Sequence, residues 1–291
     1  MDITTFMIAV YCLIEDNLIG KRLRKRGPQP RLRDSEVLTI EVVGEFLGLD
    51  TESNIFTHFC RYYADWFPSL RQITRTTFTR QAANLWKVKQ ELWQMLSQHI
   101  PHDPYLSIID SFPVPVCRFA RATYSRSFRE VATYGYDEVA RHIYYGLRAH
   151  VRLAWPGVLV DCALALAHLS DTEGAEDLLQ GVAGFVLADR NYWKPELSQR
   201  LKSYGLYLLA PYKSATHEKQ PYPRYLTHMR YRIETVFGQL VERFHAKRIW
   251  ARDLWHLTSR WMRKFLSHTL AVYFCSLADI SYLSFAKLVS T

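Results

Sequence analysis

The chain has no run of the roughly 20 apolar residues that a membrane-spanning helix needs, although 48% of it is hydrophobic. Its most apolar stretch, Phe265 to Phe285, is interrupted by His268 and Asp279 and reads as a buried helix. The five cysteines (Cys12, Cys60, Cys117, Cys162 and Cys275) are odd in number, scattered, and never spaced C-x-x-C. That pattern argues against a disulfide framework and a zinc site, and a reducing, cytoplasmic setting is expected. The first residues hold Asp2 and Glu15 and no basic segment ahead of an apolar one, so no signal peptide is expected. G-x-S-x-G, Walker and H-E-x-x-H motifs are absent, which removes the common serine-hydrolase, nucleotide-hydrolase and zinc-protease readings. Internal repeats and low-complexity tracts are absent too.

What is present is positive charge. The 37 Lys and Arg outnumber the 28 Asp and Glu for a formal charge of +9 in 291 residues, which suits a polyanionic partner, nucleic acid before membrane. The charge is densest in Lys21-Arg22-Leu23-Arg24-Lys25-Arg26-Gly27-Pro28-Gln29-Pro30-Arg31-Leu32-Arg33, where seven basic residues stand with no acid. Gly and Pro deny this stretch regular structure, and between a solvated loop and a phosphate-gripping one the second is favoured, because acids resume only at Asp34.

Helical spacing surrounds that loop. A first helix is expected over 3–19, and a second opens at Asp34 or Ser35 as cap, with Glu36 in its first turn, and ends near Gly48. An aromatic-rich helix is expected over 55–67 and a long one over 76–96. Residues 1–100 therefore read as an all-helical module, with no recognisable helix-turn-helix signature.

From Tyr105 the period changes. Tyr105-Leu106-Ser107-Ile108-Ile109-Asp110-Ser111 reads as a buried strand that delivers a carboxylate to a sheet end and is stopped by Pro113 and Pro115. Residues 118–141 show no clear period and read as a flexible or DNA-facing loop. Two alternating runs, 146–154 and 158–166, flank Pro156-Gly157 as a hairpin. A short helix capped by Ser170 or Asp171, a strand at 185–188, a helix at 194–204 and a strand at 206–210 follow. Asp189 stands at the end of one apolar run, and Glu234 lies in a helical stretch after a polar loop over 212–226. Two strand-end acids and one helix acid suit a divalent-metal site, because hard oxygen ligands select Mg²⁺ or Mn²⁺.

The local wording resembles the DDE transposases of bacterial insertion sequences. Ile108-Ile109-Asp110-Ser111-Phe112-Pro113 looks like their first-acid motif, Tyr144-Tyr145-Gly146-Leu147-Arg148-Ala149-His150 like their Tyr-Gly-Xaa-Lys/Arg-Xaa-His strand. Ala188-Asp189-Arg190-Asn191-Tyr192 resembles their Asp-Lys-Gly-Tyr segment, with Arg and Asn in place of Lys and Gly. Arg230-Tyr231-Arg232-Ile233-Glu234-Thr235-Val236-Phe237 resembles their Arg-Xaa-Xaa-Ile-Glu-Xaa-Xaa-Phe helix. Thr227 and Val241 stand where some relatives carry Tyr and Lys; Arg243 or Lys247 could supply the missing charge.

The resemblance implies an α/β fold: a ribonuclease H-like mixed five-stranded sheet with flanking helices over 101–245, preceded by the helical module 1–100 and followed by a helical extension 246–291. It implies catalysis by Asp110, Asp189 and Glu234 with two Mg²⁺ or Mn²⁺ ions, hydrolytic cutting at terminal inverted repeats, and strand transfer into target DNA by a homodimer. Arg148, Arg190 and Arg230 would hold the DNA backbone near the acids. Lys21, Arg22, Arg24, Lys25 and Arg26 would bind it from the helical module, and Arg243, Lys247, Arg248 and Arg252 from the C-terminal stretch. Trp250 is available there for stacking on bases, whereas Trp255 and Trp261 are expected in the core. Two alternatives stand beside this reading: a metal-dependent nuclease without strand transfer, and a non-catalytic DNA-binding descendant of a transposase. His150 and His168 are expected to be structural, and Asp171 a helix cap.

Overall fold

The structure, a computed structural model, describes every residue except 25, 126, 213–221, 250, 290 and 291. Its contacts divide the chain into two units, Ile100–Gln239 and the combination of Met1–His99 with Leu240–Thr291. The segment after 246 thus groups with the N-terminal helices, where the sequence suggested an extension of its own.

The helical unit follows from apolar spacing. Helix α1 (Ile3–Leu18) buries Phe6, Met7, Val10 and Ile14 and is capped by Asp2, which accepts from the Thr5 N–H at 2.9 Å. Helix α2 (Asp34–Phe46) is capped one residue earlier than expected: the Arg33 N–H donates to Glu36 at 2.7 Å. The Asp34 carboxylate is turned elsewhere, receiving both Arg24 Nη atoms at 2.5 Å and Gln81 at 2.8 Å. After α3 (Glu52–Tyr62), the long helix expected over 76–96 is two helices, α4 (Arg75–Asn84) and α5 (Trp86–His99), separated at Leu85. The break lets Lys89 turn its ammonium back to the Ala82 carbonyl at 3.0 Å. Helices α9 (Leu254–Leu277) and α10 (Phe285–Leu288) complete the unit. Trp261 is buried as expected, but Trp255 is exposed, with its ring 5.8 Å from that of Trp86.

An ionic cluster lies inside these helices. Arg263 is fully buried and reaches Glu45 at 2.6 Å, Glu52 at 3.3 Å and Glu41 at 3.4 Å. Lys264 pairs with Glu45 at 2.5 Å, Lys89 with Glu41 at 2.6 Å, and Arg260 with Glu52. Burial opposes ionisation of Glu52, yet Arg263 and Arg260 hold its carboxyl down at about 2.

The second unit is a six-stranded mixed sheet with helices. Strand β1 (Asp103–Pro115) pairs antiparallel with β3 (His142–Trp155) and parallel with β5 (Gly184–Leu187). Strand β4 (Val158–Leu166) forms the expected hairpin with β3, and β6 (Leu206–Leu209) extends the parallel side. The extra strand, β2 (Thr133–Asp137), pairs with the start of β3 inside the stretch read as a loop. Its alternation is hard to see in the sequence because Tyr134 and Tyr136 are the exposed residues.

The prolines do not stop β1. Val116 N donates to the Tyr145 carbonyl at 3.1 Å, so the two-residue strand period points the amide positions of 113 and 115 away from β3. Pairing with β5 has already ended at Ile108. No ladder bond is lost there. Helices α6 (Asp171–Leu179) and α7 (Pro195–Lys202) join the core formed by Ile109, Val186, Ala188, Tyr192 and Leu197. Helix α8 (Arg224–Gly238) packs on β1 through Phe237, whose ring centroid is 4.7 Å from that of Phe112. Among the described residues, no helix is long and apolar enough to cross a membrane.

Candidate active site

Two of the three acids are brought together by strand register. Leu106, Ser107 and Ile108 lie opposite Phe185, Val186 and Leu187 in the parallel pair. Asp110 and Asp189 each stand two residues further on, so they leave neighbouring strands at one height and on one face. Burial, and next the Asp189 charge, push the Asp110 carboxyl up to about 7. Burial also raises Asp189, and Asp171 adds to the effect. Each aspartate is oriented by a backbone amide, Ser111 N donating to Asp110 at 2.8 Å and Asn191 N to Asp189 at 2.9 Å. The second of these closes the short 3₁₀ turn Arg190–Tyr192, so Asn191 serves the turn without glycine.

Glu234 is carried by α8, which buries Ile233 and Val236. Phe112, two residues beyond Asp110 on the same strand face, is the residue that meets Phe237. The helix therefore lies on the side to which Asp110 projects. Glu234 itself is half exposed and paired with Arg230 at 3.4 Å, one helical turn earlier. Arg230 also lowers both Asp110 and Asp189. Among the described residues, no three His, Cys, Asp or Glu side chains are gathered closely enough to hold a metal ion. Asp110 and Asp189 are together, and Glu234 is turned to Arg230.

A further carboxylate, read from the sequence as a helix cap, borders the pair. Asp171 accepts from Ser111 Oγ at 2.6 Å and from Arg148 Nη1 at 2.9 Å. Capping of α6 belongs to Ser170 and Glu173. Beneath lie two buried groups with no hydrogen-bond partner, the Tyr192 hydroxyl and the His150 ring. Burial, then Asp171, Asp110 and Asp189, push the Tyr192 phenol well above its ordinary range, while burial takes His150 down to about 4. The serine beside the first acid was the one sequence signal for this arrangement; its partner 60 residues away leaves no local pattern.

A family model described as the transposase DDE domain matches residues 102–249, which is about half of the chain. The chain belongs to the DDE transposases. Among solved structures, the transposase is similar to a cryo-EM structure of the piggyBac transposase synaptic complex with hairpin DNA, with TM-score 0.51 and 10% identity. The match covers 97% of this chain and 75% of that one, and at such identity it concerns the fold alone. No curated protein matches the transposase in sequence.

The basic residues of the transposase have different fates. Lys21 and Arg26 are exposed, Arg22 is exposed with its Nε on the Arg24 carbonyl at 3.1 Å, and Lys25 falls outside the described residues. Arg24 is committed to Asp34. Arg148 is committed to Asp171, Ser111 and the Tyr136 carbonyl. Arg190, next to Asp189, is exposed. Arg243 lies 4.2 Å over the Phe46 ring and donates to the Phe46 carbonyl at 3.1 Å, which makes it a packing residue of the helical unit. Lys247 is half-buried, Arg248 and Arg252 are exposed, and Trp250 falls outside the described residues.

Proposed function

We propose that this DDE transposase serves a bacterial insertion sequence, cutting DNA at terminal inverted repeats and joining the ends to target DNA. The observation that carries the reading is the register-matched pair Asp110 and Asp189 at the ends of parallel neighbours. Asp110, Asp189 and Glu234 would hold Mg²⁺ or Mn²⁺. Their donor chemistry fits: all offer hard carboxylate oxygens, and an aspartate held at about 7 by burial and a second carboxylate is short of positive charge. When bound there, such ions would supply positive charge for the attacking and leaving oxygens of a phosphodiester.

The chain's own residues would present the DNA. Arg190, exposed beside Asp189, would take a backbone phosphate near the acids. Arg230 would orient Glu234, its present partner. Lys21, Arg22 and Arg26, with Arg248 and Arg252, would neutralise further phosphates. Cutting and joining two ends calls for two copies of the chain, which a homodimer on DNA would supply, acting in the cytoplasm at the nucleoid.

Incubation with labelled terminal-repeat DNA, a target plasmid and Mg²⁺ tests this reading. Joined products that vanish in D110N and D189N support it. Cleavage without joining turns the assignment to a nuclease. Binding alone, unchanged in D110N, turns it to a non-catalytic descendant, a reading favoured by one observation: Glu234 stands apart from the other two acids.

A further inference from the structure

Asp110 and Ser111 are successive residues of β1, so their side chains leave opposite faces of the sheet. On the face away from Asp110, the Asp171 Oδ1 atom collects three elements. It sits on α6, accepts Ser111 Oγ from β1 at 2.6 Å, and accepts Arg148 Nη1 from β3 at 2.9 Å. Arg148 Nη1 is also 3.3 Å from Ser111 Oγ, and its Nη2 donates to the Tyr136 carbonyl of β2 at 3.2 Å. The ion pair is well shielded, with 18% of the Arg148 side chain and 11% of the Asp171 side chain exposed.

Helix α6 can come this close to β3 because residue 174 is glycine. A Cβ there would stand 2.1 Å from Nε2 of the buried His150. The register places His150 opposite Ser111, directly under this junction. The Tyr192 hydroxyl, buried without a partner, is within electrostatic reach of Asp171, Asp110 and Asp189 alike. Asp171 is not spent on its helix, since Ser170 and Glu173 form the capping box. Its charge is felt by both Asp110 and Asp189, whose carboxyls it helps to raise.

We propose that Asp171 is a positioning residue: by holding Ser111 against Arg148 it fixes the point of β1 from which the Asp110 carboxylate projects, and so sets the affinity of the aspartate pair for a divalent cation. The proposal rests on the metal-dependent reading above. Groups that orient a metal ligand from behind are each worth about 10- to 100-fold in metal affinity.

The test is Mn²⁺ binding to the full chain without DNA, followed by titration calorimetry, with folding checked by circular dichroism. D171A is expected to weaken Mn²⁺ binding about 10- to 100-fold. D171N keeps an acceptor for Ser111 and loses the ion pair, so its loss should be smaller. S111A, which removes a single hydroxyl and tests the link even if D171A does not fold, should weaken binding in the same direction. The effects of S111A and D171A should add less than fully, because the Ser111–Asp171 bond is common to both. Folded D171A and S111A that bind Mn²⁺ as tightly as the parent, while D110N does not bind, overturn the positioning role and leave the metal reading standing. Unchanged Mn²⁺ binding in D110N overturns both.

Discussion

The Arg230 guanidinium lies 3.4 Å from the Glu234 carboxylate and at the same time lowers Asp110 and Asp189. One side-chain cation thus serves all three acids of the proposed site. Glu234 is the acid it holds most directly, and the acid with the least other attachment. We predict that E234Q leaves DNA affinity intact and lowers strand cleavage by about 100-fold or more, the scale of removing one electrostatic stabiliser at a reacting centre. Gel-shift binding measured beside single-turnover cleavage checks it; equal cleavage by E234Q and parent removes Glu234 from the site.

A carboxyl held near 7 in the folded chain, against an ordinary value of 3.8, binds more protons folded than unfolded between those two pH values. Its contribution to stability is therefore full below the unfolded value and is lost as pH rises toward 7. Without divalent ions, the parent should lose stability between pH 5 and pH 8, and D110N should lose less, by about 1 kcal/mol once solvent screening is allowed for. Urea midpoints in EDTA at the two pH values measure the difference. Added Mn²⁺ should restore stability to the parent at pH 8 and do little for D110N.

The two aspartates were legible in the sequence because each ends a short apolar run, and parallel register does the rest. The third acid was legible as a helix residue, and the i,i+4 spacing also made its pairing with Arg230 legible. Strand β2 escaped because its outward residues are tyrosines, which blur the alternation of apolar and polar positions. The split of α4 from α5 escaped because the apolar period runs on across Leu85. Asp171 escaped for a different reason: a carboxylate at the first helical position looks like a cap whatever else it does.

Gly174 is predicted to be intolerant of a side chain. In G174A the new methyl meets His150 Nε2 at 2.1 Å, and the ring has no room to retreat, being fully buried. A loss of about 1–3 kcal/mol is expected, as for other overpacked cores. Denaturant unfolding of G174A reads it, and the double variant with H150A should recover part of the loss.

The ionic cluster of the helical unit offers a sharper contrast. R263A leaves Glu45, Glu41 and Glu52 short of their shared partner and should cost about 3–5 kcal/mol. Replacing Arg263 by Met together with Glu45 by Leu should cost no less than R263A alone, because the buried Lys264 then loses Glu45, the acid it pairs with at 2.5 Å. Thermal unfolding of the two variants decides the order.

In the basic loop, exposure separates binding from structure. K21A and R26A should each weaken DNA binding uniformly across sequences and reduce the slope of log affinity against log salt by about 1. R24A should instead lower stability, because its partners are Asp34 oxygens at 2.5 Å. Anisotropy titrations at several salt concentrations distinguish the two behaviours.

Pro113 and Pro115 turn toward the flank of β1 along which strand pairing, with β5, ended at Ile108. Lacking amide hydrogens, they give an arriving chain nothing to zip onto. The gap just past Asp110 is thereby kept from being filled by a stray strand of this protein or another copy. On the function proposed above, the end of β1 past Asp110 is thereby left to a nucleic-acid backbone, and the two imino acids protect it at no cost to the ladder they belong to.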